Sequence, residues 1–299
     1  MTRVDVLIPT YNRVAALAVT LTSLTVQTAP DFNVFIADQT EGGGGADSAE
    51  VRAPARLLRA QGHNVTITRR RPRRGMAEQR QFLLDQVTAP YALSLDDDLI
   101  LEPDVIERMA RTLDAAGCGF VGMAVHGLSF AGDVRPHQEA IEFWDGPVTP
   151  ELVTPGSAAW ERYQLHNAAN LWHVQRRLAL TPATQRLYRV AWVGGCVLYD
   201  VAALRAVGGF GFWKELPPDH CGEDALAQLR VLARFGGAGI IPSGVYHMEL
   251  PTTVPDRHTN APEILPIAPG EYRVPSGDYR PDAAPRAPRG GQRVTGRGR

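Results

Sequence analysis

Cysteine is scarce in this 299-residue chain. There are three, Cys118, Cys196 and Cys221, with no CxxC pair. An odd and scattered set excludes a disulfide framework or a structural zinc site and fits reduced thiols. Charge of either sign is not in excess, because the formal net charge is -1. Nothing global therefore calls for a nucleic-acid partner or an acidic membrane surface. Long apolar runs are missing too: no stretch approaches the ~20 residues of a spanning helix. The opening MTRVDVLIPTYNR has no apolar core of the kind a signal peptide needs. These absences predict a cytoplasmic protein, with peripheral attachment to a membrane left open.

What is present is an alternation. Val4 to Ile8, Asn33 to Ala37, Val65 to Thr68, Tyr91 to Leu95 and Gly119 to Val125 read as strands. Helical spacing separates several of them. Val14, Leu17, Leu21 and Leu24 form one face behind Asn12, a good helix cap. Gly75 opens a second helix and Pro103 a third. Strands and helices in this order predict an α/β fold with a largely parallel open sheet flanked by helices. The stretch 126–189 interrupts the pattern and holds Trp144, Trp160 and Trp172 with His137, His166 and His173. Order returns with a strand expected at Trp192 to Leu198, a short helix capped by Asp200, and an amphipathic helix from Glu223 to Phe235. The expected layout is a single domain over 1–267: a nucleotide-binding part over 1–125, an acceptor-side insertion over 126–189 and a catalytic part over 190–267. The Pro-, Gly- and Arg-rich tail over 268–299 reads as disordered.

In open α/β sheets ligands bind beyond the carboxyl ends of the strands. Pro9 and Thr10, Asp38, and the triplet Asp96, Asp97 and Asp98 all stand at such ends. Three adjacent carboxylates repel one another unless a cation collects them. A hard divalent ion, Mn2+ or Mg2+, would do so and would bridge phosphates. His247 is a candidate additional ligand that suits manganese. Asp38 is a candidate acceptor for a base N–H or a simple turn residue. Arg74, beside Gly75 at a helix start, is a candidate phosphate contact. Glu223 and Asp224 open a helix and serve either as capping charge or as a general base.

Taken together, VLIPTYNR, FIADQT, RGMAEQRQ, LSLDDDLILEPD, WVGGCVLYDVAALRAVGGF and GEDALAQLRVLARFGG resemble the family 2 glycosyltransferases. RGMAEQRQ keeps Gly75 and Arg80 of that family's element but has Gln79 and Gln81 where Ala and Asn are usual. The resemblance implies a GT-A fold and an inverting single displacement from a UDP-, GDP- or dTDP-sugar to an acceptor hydroxyl. The acceptor would be a glycan, a lipid-linked molecule or a small molecule. It implies that Pro9, Thr10, Tyr11, Asp38, Arg74, Gly75, Arg80, Asp96 and Asp97 serve the donor. Asp96 would meet the ribose, Asp98 the metal, and Asp224 would be the base with Glu223 in support. A sugar-phosphate nucleotidyltransferase is the main alternative, yet PTYNR stands where those enzymes carry a Gly-rich basic loop. A non-catalytic nucleotide-sugar binding module is the other. Homo-oligomerisation is left open.

Overall fold

The computed structural model describes residues 4–42, 44–255 and 257–268. The tail expected to be disordered lies, from residue 269, outside them. The elements in chain order are β1 (Val4–Thr10), α1 (Val14–Leu24), β2 (Phe32–Asp38), α2 (Ala49–Ala60), β3 (Val65–Arg69), α3 (Met76–Asp85), β4 (Tyr91–Leu95), β5 (Leu99–Leu101), α4 (Val105–Ala116), β6 (Phe120–Gly122), α5 (Asn170–Arg177), β7 (Arg186–Tyr188), β8 (Cys196–Asp200), α6 (Val201–Ala206), α7 (Glu223–Phe235), β9 (Ala238–Ile241), β10 (Val245–His247) and α8 (Ala261–Ile264).

Eight strands form one sheet in the order β3-β2-β1-β4-β8-β6-β9-β7, and β10 pairs with β5 in a small second sheet. β1 lies in the middle, parallel to β2 and β4, and every one of its residues is buried. Its unbroken apolar run follows from having both faces covered. Leu17, Leu21 and Leu24 of α1, Val51, Ala55 and Leu58 of α2 and Met109 and Leu113 of α4 pack on one face. Leu83 and Leu84 of α3, Leu204 of α6 and Leu226 and Leu229 of α7 pack on the other, with Trp160 and Leu171 of the 126–189 stretch.

Six of the eight strands run in one direction, so the sheet is largely parallel, as expected. The β3-β2-β1-β4 side is parallel, but β8 runs antiparallel to both β4 and β6, and β7 antiparallel to β9. This reversal has a consequence for the site. Cys196 at the start of β8 pairs with Leu95 at the end of β4. The segment leading into β8 is thereby delivered to the same rim as Asp96, Asp97 and Asp98. That segment, Trp192 to Gly195, is not strand as expected; Gly195, at a positive φ of 80°, turns the chain before β8 begins.

Local expectations differ in two further places. Asn12 does not cap α1: it has a positive φ of 55°, and Arg13 holds the cap position. Asn12 instead donates its backbone N–H to Thr40 Oγ at 2.9 Å, tying the loops after β1 and β2. β6 spans only three residues of the expected Gly119 to Val125. After β2 the chain folds back at Gly45. A Cβ on Gly45 (φ +68°) would lie 2.3 Å from Asp38 Oδ2, so the chain closes over that carboxylate only with glycine there. No helix among the described residues is long and apolar enough to cross a membrane.

Candidate active site

A cleft of about 940 Å³ opens along the carboxyl rim of β1 and β4. Pro9, Thr10, Tyr11, Asp96, Asp97, Asp98, Glu223, Asp224 and His247 all line it. Residues separated by more than 200 positions in the chain are thus brought together as the rim argument requires. Arg80 lines the cleft as well. Three expected members stand apart. Asp38 is 1% exposed, and its oxygens accept from the backbone N–H groups of Thr40 and Ala46, both at 2.8 Å. It organises the loop after β2 and does not line the cleft. Arg74 is exposed, outside the cleft lining. Gly75 is buried with φ +94°, and a Cβ there would come within 2.6 Å of His220 Cε1 and of the Pro218 carbonyl. Its part is a close approach between the start of α3 and the loop before α7.

The aspartate triplet divides its charge among different partners. Asp96 Oδ1 accepts from Arg80 at 2.9 Å. Asp97 is buried, accepting from Thr10 Oγ at 2.6 Å and from Arg13 at 3.2 Å. Burial pushes its carboxyl up to about 6, against the Thr10 hydrogen bond and the Arg13 charge. Asp98 Oδ2 meets Arg13 at 2.5 Å and His247 Nε2 at 3.3 Å. Burial alone would raise Asp98, but His247 and Arg13 outweigh it and hold its carboxyl below the usual range. His247 is raised in turn, chiefly by its hydrogen bond to Asp98. β10 places it: His247 pairs with Leu99, and Met248 N–H donates to the Asp98 carbonyl at 2.9 Å.

The second carboxylate pair is separated in function by Arg80. This guanidinium is 6% exposed; its Nε meets Glu223 at 3.0 Å, and its other nitrogens reach Ser94 Oγ and Asp96. Burial works against its charge, yet Asp96, Glu223 and Asp224 raise its pKa further. Glu223 is therefore tied off. Asp224 is half-buried and lines the cleft with no such partner shown, and its carboxyl is pushed up to about 7 by burial and by the charge of Glu223. His220 fixes the approach to this pair. It accepts the Ala77 N–H at Nε2 (3.1 Å), which requires the proton on Nδ1, where it donates to the Pro217 carbonyl at 2.7 Å. One neutral tautomer thus joins the first turn of α3 to the loop that leads into α7.

The described residues contain no cluster of three His, Cys, Asp or Glu side chains able to hold a metal by themselves. Asp98 and His247 do converge, and one carboxylate oxygen with one imidazole nitrogen is a donor set that suits Mn2+. Such an ion would compete with Arg13 for Asp98 and take its remaining ligands from diphosphate oxygens.

Three residues of the cleft wall escape sequence reading: Arg13, His220 and Trp192. Arg13 lies within VLIPTYNR, and the need of Asp97 and Asp98 for a counter-charge is the signal that could have found it. His220 carries no periodic or motif signal. Trp192 stands just before Gly194 and Gly195 at the rim.

An eight-stranded sheet with a parallel side, carboxylates at its strand ends and an acidic helix start across the cleft is a GT-A type architecture. The glycosyl transferase family 2 model matches residues 5–177, and the chain belongs to that family. Among solved structures it is similar to the mannosyltransferase PcManGT from Pyrobaculum calidifontis in complex with GDP-Man and Mn2+. The identity is 14% and the TM-score 0.51, over 84% of this chain and 58% of that one. S. aureus TarS 1-349 in complex with UDP-GlcNAc is similar at 15% identity and TM-score 0.49, over 85% of this chain and 60% of that one. The chain thus spans about three fifths of the length of these two relatives. Comparison with curated proteins gives no match.

Proposed function

We propose that the protein transfers a sugar from a nucleoside diphosphate sugar to an acceptor hydroxyl, with inversion, in a single displacement. The observation that carries this reading is the split at the head of α7. Glu223 is held by Arg80, while Asp224 keeps its carboxylate toward the cleft with a pKa near neutrality. A carboxylate raised toward the working pH is a better proton acceptor than one at its ordinary value.

The acceptor oxygen attacks the anomeric carbon as Asp224 takes its proton, and the bond to the nucleoside diphosphate breaks with its electron pair on the phosphate oxygen. Pro9, Thr10, Tyr11 and Asp96 bind the nucleoside side of the donor. Arg80 keeps Asp96 and Glu223 in place across the cleft. A divalent cation, Mn2+ or Mg2+, held by Asp98 and His247, would neutralise charge on the leaving group. Arg13 brings a fixed positive charge to the same carboxylates. The GDP-Man and Mn2+ of the archaeal relative support a nucleoside diphosphate sugar and a divalent ion for this chain as well.

The test is release of nucleoside diphosphate from a panel of UDP-, GDP- and dTDP-sugars, read beside calorimetric donor affinity. Asp224→Asn should lower turnover by ~10²–10⁴-fold, the usual worth of general-base assistance, with donor affinity retained. EDTA should weaken donor binding. Loss of turnover in Glu223→Gln with activity kept in Asp224→Asn would reverse the assignment. Donor binding unchanged by EDTA would remove the metal from it.

A further inference from the structure

The aromatic wall of the cleft takes no part in the chemistry above. Trp160 and Trp192 both line the cleft, but Trp160 is 2% exposed and belongs to the core, whereas Trp192 is half-buried. The Tyr163 ring stacks on Trp192, 9° from parallel at 5.5 Å, and Trp160 tilts against it at 4.7 Å. The indole is backed by two other rings.

The backbone around it is pinned twice. Gln228 clamps Val193: its Oε1 accepts the Val193 N–H and its Nε2 donates to the Val193 carbonyl, both at 2.8 Å. Gln228 follows Asp224 by four residues on α7, so the two share one helix face. Two residues further on, the Gly195 carbonyl accepts the Asp96 N–H at 2.9 Å. Trp192 is therefore suspended between the strand end that carries Asp96 and the helix face that carries Asp224.

Resting on the reading that the sugar is transferred between these two carboxylates, we propose that Trp192 is the acceptor platform. The acceptor unit it receives is a pyranose ring, its C–H face against the indole and one hydroxyl at Asp224. Trp192 is a backed aromatic plate in a lining that also carries Asp224, Thr252, Thr253, His258 and Asn260, and this pairing matches a pyranose, which presents an apolar face and a polar rim. An extended hydrocarbon chain needs a continuous apolar channel, and Asp96, Glu223 and Asp224 interrupt one here. The rigid backing also lowers the entropy lost when a ring docks.

Saturation-transfer NMR with methyl glucoside, galactoside, mannoside and N-acetylglucosaminide, with and without UDP or GDP and Mn2+, tests this. At least one glycoside should bind with saturation concentrated on the protons of one ring face. Trp192→Ala should weaken that binding about tenfold, Trp192→Phe should restore most of it, and nucleotide affinity should be equal in all three proteins. Matching thermal melts would show that the variants are folded. Glycoside binding unchanged in Trp192→Ala overturns the proposal, as does binding of octanol or aryl alcohols at Trp192 with no glycoside bound. Absence of nucleotide binding in the wild-type protein would instead count against the transferase reading, and the nucleotide-free arm still decides the platform.

Discussion

Residues 4–125 are more deeply buried than the stretch 126–189, and the two are held by different means. The first region is built from backbone ladders: five strands of the main sheet and four helices lie in it, and its apolar positions recur at strand or helix spacing. The second contains one short helix, α5, and one three-residue strand, β7, with several single 3-10 turns. Side chains replace the ladder. Arg162 grips both oxygens of Glu142 at 3.0 and 2.9 Å and reaches Glu151 at 2.8 Å. Arg177 pairs with Glu139, and Trp160, Leu165, Val174 and Tyr188 fill the core beneath. The difference teaches that an irregular segment can be as fixed as a regular one when aromatic packing and multidentate arginines supply what hydrogen-bonded strands supply elsewhere.

The strongest way to break the comparison is Trp160→Ala. Removal of a fully buried indole should cost about 3–5 kcal/mol, read as a fall in urea midpoint, and should free Trp192 on one side. A loss below about 1 kcal/mol would show that the stretch is not packed as described. A pair of arginine variants sharpens it. Arg162→Met removes a two-pronged hydrogen bond to Glu142, 56% accessible, and one to the more shielded Glu151, 21% accessible, and should cost about 1–2 kcal/mol. Arg69→Met breaks the exposed pair with Asp47, with side chains 36% and 48% accessible, and an exposed bond to the Gly44 carbonyl at 2.6 Å, and should cost about 1 kcal/mol or less. Equal costs would mean that ion pairing does not distinguish the regions.

The pH dependence of the cleft itself is carried by Asp224. Its carboxyl is raised in the folded protein, so the fold binds the proton more tightly than the unfolded chain does. Stability is then lost as pH rises from about 4 to about 7 and the penalty is full above that range. Asp224→Asn should leave the melting temperature unchanged near pH 4 and raise it by several degrees near pH 8. An equal rise at both values would point to packing and not to charge.

Much of the regular half was legible because its physics is local. Tyr91 to Leu95 and Glu223 to Phe235 fall where apolar spacing and a closing Gly236 place them. α2 was not, because Pro54 inside it masks the buried face of Val51, Ala55 and Leu58. The reversed direction of β8 was not legible either, since strand composition carries no direction. At the site, the carboxylates stood out as motifs at strand ends. Their partners did not. That Asp38 would spend its oxygens on Thr40 and Ala46 depends on the chain folding back at Gly45, and that Arg80 would tie Glu223 depends on a contact across 143 residues.

The Arg13 contacts carry a consequence for the order in which the molecule assembles. Arg13 donates to Asp97 and Asp98 and, 238 residues away, to the Pro251 carbonyl at 2.6 Å. Closure of so long a loop is entropically dear and is repaid only after the intervening sheet exists. The cleft should thus be among the later parts of the protein to form on folding and among the earlier to open on mild denaturation, which hydrogen exchange would read. Residues 4–125 can keep their buried strands while Arg13, Pro251 and the wall beyond them have already separated.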